Sequence, residues 1–129
     1  MRKPLILALL CVSALLGGCA ESPGPLEPSA PLNVSVALRS LRLENQNSRT
    51  IYYLIMTSDM AARVLWAPCS SPEQPCARLE PQGVVQVPYS QISGYDRGSR
   101  EAIIFWYHLL ELEGGGWRAD EIRSVRVRL

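Results

Sequence analysis

The stretch LNVSVALRSLRL, residues 32–43, sets the class of the domain. Leu32, Val34, Val36 and Leu38 alternate with Asn33, Ser35, Ala37 and Arg39. A β-strand turns successive side chains to opposite faces, so this spacing lays an apolar row along one face and a polar row along the other. Arg39 and Ser40 then interrupt the pattern before Leu41 and Leu43 resume it. One extra residue that restores the same inward face predicts a β-bulge.

Further strands follow downstream. TIYYLIMT, residues 50–57, is dense in β-branched and aromatic residues, and the turn cluster ENQNS precedes it. ARVLWAP, residues 62–68, reads as a third strand ended by proline, and GVVQVPY, residues 83–89, as a fourth, with Pro88 marking its end or a sheet edge. SGYDRGS, residues 93–99, is turn-rich. AIIFWYHLLELE, residues 102–113, reads as one central strand, broken by Gly114, Gly115 and Gly116, and IRSVRVRL ends the chain as another. A stripe of period 3.6 is missing, and residues 59–63 have room for a single helical turn. Short strands separated by Pro, Gly and Asn turns over residues 32–129 predict an all-β antiparallel β-sandwich of immunoglobulin-like type, with a small β-barrel as the alternative.

Ahead of this domain the composition differs. Arg2 and Lys3 precede an apolar run over 5–16, the layout of a secretory signal. The run is shorter than the roughly 20 residues that cross a bilayer as a helix. Leu16-Gly17-Gly18-Cys19 resembles the lipobox of bacterial lipoproteins. The resemblance implies a signal peptide over 1–18, cleavage between Gly18 and Cys19, and a diacylglycerol on the Cys19 thiol. Ala20 after the cysteine implies sorting to the outer membrane in a Gram-negative cell, with the domain facing the periplasm or the surface. Pro23, Pro25, Pro28 and Pro31 fall within residues 19–31. Such a segment makes a semi-rigid tether, its twelve residues 20–31 reaching at most about 37 Å at about 3.1 Å per residue.

Charge and cysteine content narrow the function classes. The formal net charge is +1; removal of Arg2 and Lys3 with the signal makes it −1, too small a field to argue for nucleic acid. Of four cysteines, Cys11 leaves with the signal and Cys19 takes lipid. That leaves Cys69 and Cys76, which in an exported protein read as a disulfide. Two thiols with His108 as the one further soft ligand make a poor metal site, and no cofactor motif occurs.

His108 is the only histidine, so a hydrolase would have to centre on it; the competing reading is a hydrogen-bonded core residue. There is no G-x-S-x-G, no H-E-x-x-H and no phosphate-cradling loop. Glu111 and Glu113 are expected to pair with Arg123, Arg126 or Arg128 across the final hairpin. Trp117, in a glycine-rich loop, is expected at the surface, and with Tyr95 or Tyr107 it forms the candidate set for stacking a glycan. The reading is a non-catalytic interaction module, held at the membrane by lipid and meeting an envelope protein or a glycan.

Overall fold

The computed structural model describes residues 31–129, so the signal peptide, the lipobox with Gly18 and Cys19, and nearly all of the tether lie outside the described residues. The domain is an all-β sandwich of antiparallel sheets. Strands β1 (Leu32–Ala37), β2 (Ser40–Asn45) and β5 (Val84–Pro88) form one sheet in the order β1-β2-β5. Strands β3 (Ile51–Thr57), β4 (Arg78–Leu79), β6 (Glu101–Tyr107) and β9 (Arg123–Arg128) form the second in the order β4-β3-β6-β9. A short ribbon of β7 (Leu109–Glu111) and β8 (Trp117–Ala119) extends from one end. The two main sheets keep separate strand orders and do not close on each other, which makes a sandwich and not the barrel. In immunoglobulin constant domains the order is A-B-E-D facing C-F-G; here the fourth strand pairs with the third instead of the fifth.

The period-two rows become the core only in part, since Val36 is half-exposed and Leu38 stands fully exposed in the β1–β2 turn. Leu41 stands opposite Val36 and Val87, and Leu43 opposite Val34 and Val85. Against this face the second sheet sets Ile51, Ile55, Ala102, Ile104 and Trp106, all buried with Leu32, Leu41 and Leu43. Burying a side chain of this size contributes about 1.5–3 kcal/mol, so this layer holds the sheets together.

Three readings of the sequence are corrected. The phase slip at Arg39 and Ser40 is a hairpin turn and not a bulge: β1 pairs antiparallel with β2, with Ala37 opposite Ser40, and Arg39 takes a left-handed φ of 55°. A bulge and a two-residue turn shift the alternation identically, so the pattern alone could not separate them.

Residues 62–68 are not a strand. A helical turn, α1 (Ser58–Ala61), ends β3, capped by the Thr57 hydroxyl, which accepts from the Met60 N–H. The chain then crosses the outer face of the second sheet as an unpaired strap. Its alternation is real, with Val64, Trp66 and Pro68 partly buried and Arg63, Leu65 and Ala67 exposed, but it packs through side chains. Trp66 lies 5.1 Å from the Phe105 ring and 6.5 Å from that of Tyr107.

The run 102–113 is two strands. Its ladder with β3 ends where Tyr107 faces Tyr52, and after His108 the chain pairs with β8 instead. Three consecutive left-handed glycines, Gly114, Gly115 and Gly116, at φ 88°, 91° and 94°, turn this ribbon; side chains there would be strained.

Candidate functional site

The end of the sandwich where β6 gives way to β7 gathers most of the residues the sequence singles out. His108 sits in the break, 6% exposed. Its Nδ1 lies 2.9 Å from the Thr50 carbonyl and its Nε2 3.2 Å from the Asn47 amide nitrogen. The Asn47 side-chain oxygen accepts from the Arg49 N–H, which leaves the amide nitrogen to donate to the ring. The network therefore assigns Nδ1–H donating to Thr50 and Nε2 accepting from Asn47. Trp106 closes over the ring edge-on at 5.8 Å. Both nitrogens are engaged in holding the β2–β3 turn to β7, the satisfied-core role.

Beneath this turn, Cys69 and Cys76 form the disulfide. Cys69 is buried, and its N–H donates to the Tyr107 hydroxyl at 2.8 Å. Tyr107 stacks on Tyr52, ring centroids 5.8 Å apart, and with Leu109 these residues make a second, smaller core on the outer face of the sheet. Burial pushes the Tyr107 hydroxyl above its ordinary pKa; the Cys69 N–H acts against the shift, and Tyr52 adds to it.

The aromatic candidates separate. Trp117 is exposed, at 36%, opposite Glu111 in the β7–β8 ribbon. Tyr107 is 2% exposed, so it has no free face for a ligand and leaves the candidate set. Tyr95 is half-buried on the main core, its ring 5.6 Å from that of Tyr89. It belongs to the β5–β6 connection, where Ser93 bonds Ile55 and Thr57. That is the far end of β3 from Thr50, so Tyr95 and Trp117 do not share a site.

Trp117 instead borders a depression of about 250 Å³ with Arg49, Thr50, Tyr52, Pro72 and Leu109. Arg49 leans toward the Leu109 carbonyl at 3.5 Å, and Thr50 donates its hydroxyl to Glu80 at 2.9 Å. Sequence reasoning missed these partners because they come from the β2–β3 turn, β3, the disulfide loop and β7. No local spacing links those segments.

The expected acid–base pairs are also rearranged. Arg126 pairs with Glu101 at 2.9 Å, and Arg123 lies near Glu121 and 5.1 Å above the Trp106 ring. Glu111 and Glu113 form no ion pair among the described residues, because β9 pairs with β6 and not with β7. The Ser58 hydroxyl and then the Arg126 guanidinium hold the Glu101 carboxyl below its ordinary pKa. Among the described residues no three His, Cys, Asp or Glu side chains gather as a metal site.

Comparisons with protein-family models, curated proteins and solved structures return no match to this chain.

Proposed function

We propose that the chain is an exported lipoprotein, acylated on Cys19, whose β-sandwich serves as a non-catalytic binding module at the cell envelope. The Leu16-Gly17-Gly18-Cys19 motif carries this reading. The Cys69–Cys76 disulfide supports it, since such bonds persist in oxidising compartments. The engagement of both His108 nitrogens favours binding over catalysis, because a general base or metal ligand would first have to surrender one of them. The anchor is tested by labelling cells with a radioactive fatty acid. Label on the wild-type protein and its loss in Cys19→Ala, with release from the membrane fraction, is the expected result. Equal label in both would refute the anchor.

A glycan is the partner the surface favours over an envelope protein, on one observation: Trp117 presents an exposed indole beside a concave, partly polar surface. Saccharide binding that falls in Trp117→Ala is expected, whereas binding indifferent to that substitution would remove the site.

A further inference from the structure

The depression beside Trp117 has a chemistry more specific than sugar binding in general. Arg49 is the single charged residue among those lining it. Among the described residues its guanidinium forms no ion pair; the ion pairs present join Arg42 to Glu44, Arg123 to Glu121 and Arg126 to Glu101. A planar fork of donors beside an aromatic wall, with no carboxylate to satisfy it, matches the geometry of a carboxylate brought by a ligand. We propose that this depression binds acidic saccharides, with Arg49 pairing to a sugar carboxylate while Trp117 stacks on the pyranose ring. The proposal rests on the glycan reading above and names the class of glycan.

The remaining walls suit that ligand. Pyranose rings present a face of C–H groups that lies flat on an indole, and their hydroxyls need polar partners at the edge. Thr50 supplies one: its proton goes to Glu80, so its oxygen stays available as an acceptor for a sugar hydroxyl. Pro72 lies inside the ring closed by Cys69 and Cys76, and its carbonyl accepts from Arg78 at 3.3 Å. That wall is therefore held in place before a ligand arrives, which reduces the ordering that binding requires. Glu80 is turned to Thr50, Glu111 lies across the ribbon from Trp117, and Glu73 follows Pro72 in the disulfide loop; none of the three lines the depression. At about 250 Å³ the space falls below the range of drug-sized pockets, which fits one sugar unit held within a longer chain.

The test is calorimetric titration of the mature, detergent-solubilised protein with trigalacturonate and with a hyaluronan tetrasaccharide. Methyl-esterified trigalacturonate and cellotriose serve as uncharged counterparts. Saturable binding of at least one acid is expected, about tenfold tighter than the ester and weakening as salt rises. Arg49→Gln should reduce acid affinity to the level of the ester. Trp117→Ala should abolish binding of both, and Trp117→Phe should retain part of it. Circular dichroism melts establish that each variant is folded, and Arg49→Lys, which keeps the charge without the fork, stands in should Arg49→Gln fail to fold. Equal affinity for acid and ester, or acid binding unchanged in Arg49→Gln, overturns the proposal. Cellotriose binding that needs Trp117 but not Arg49 also overturns it, while leaving the broader glycan reading intact. No binding of any saccharide overturns both.

Discussion

Asn45 is a polar residue with no exposed surface, and its side chain ties three segments together. Its amide nitrogen donates to the carbonyls of Arg49, Leu79 and Glu80 at 2.8, 3.0 and 3.2 Å, and its oxygen accepts from the Asn47 N–H. Its backbone N–H donates to Gly83, and its carbonyl accepts from Gln82. One side chain thus closes the β2–β3 turn against the β4–β5 turn. Asn45→Ala would strip partners from several backbone groups at once, each worth about 1–3 kcal/mol when buried and unpaired. We expect a loss of about 3 kcal/mol by urea denaturation. Tyr107 makes a different demand. Burial raises its pKa, and it raises that of Tyr53 as well. Folding therefore favours the neutral phenols. Their contribution is complete below the unfolded value of about 10 and disappears as pH climbs through the folded values. Unfolding midpoints should fall on the alkaline side of pH 10, less steeply in Tyr107→Phe, with the residual slope belonging to Tyr53. That variant also loses the acceptor for the Cys69 N–H, which should lower stability at neutral pH by about 1 kcal/mol.

Among the elements, the strap over the outer sheet face shows how a sequence signal and its structural meaning can part. Residues 62–68 carry a true period-two pattern, yet β3 is already paired with β6 on one side, and its other edge is taken by β4 at Ile51 and Tyr52, by Ala77 at Tyr53 and by Ser93 at Ile55 and Thr57. With no free ladder beside it, the segment lies across the sheet and is secured by Trp66 and by the disulfide. Removing that tie in Cys69→Ser/Cys76→Ser should reduce stability by about 2 to 3 kcal/mol, the loop-closure entropy of a ring this short. Amide exchange in the variant should rise over the strap and the disulfide loop while the β3–β6 ladder stays protected. Uniform loss of protection would instead mean that the strap is integral to the whole fold. The signals that did translate were those with a single structural meaning. The β-branched run of β3 and the proline ending β5, an edge strand, are of that kind.

Across the molecule, one surface cluster joins parts distant in sequence. Glu101 on β6 accepts from Ser58 in α1 at 2.6 Å and from Arg126 on β9 at 2.9 Å. These donors hold its pKa down, so the folded state favours the carboxylate. The gain is present above the unfolded value of about 4.3 and is lost as pH falls through the lower folded one. Thermal midpoints should therefore drop on the acid side of about pH 4.3, and less so in Glu101→Gln. An unchanged acid limb in that variant would show the cluster to be without effect on stability.

How much of this was legible beforehand follows from the range of each interaction. Alternation, turn residues, the spacing of Cys69 and Cys76, and the exposure of Trp117 all reside in neighbouring residues. The sequence by itself therefore determined an all-β antiparallel domain with most of its inward rows, because strand geometry converts spacing of two directly into a face, while the choice of sandwich over barrel waited on the strand order. It could not determine whether a slip was a turn or a bulge, where the long apolar run would break, which arginine meets which acid, or what surrounds Trp117. Those were decided only by the tertiary structure, because each depends on which strands become neighbours, and strand order follows from burying two sheets against each other rather than from local preference.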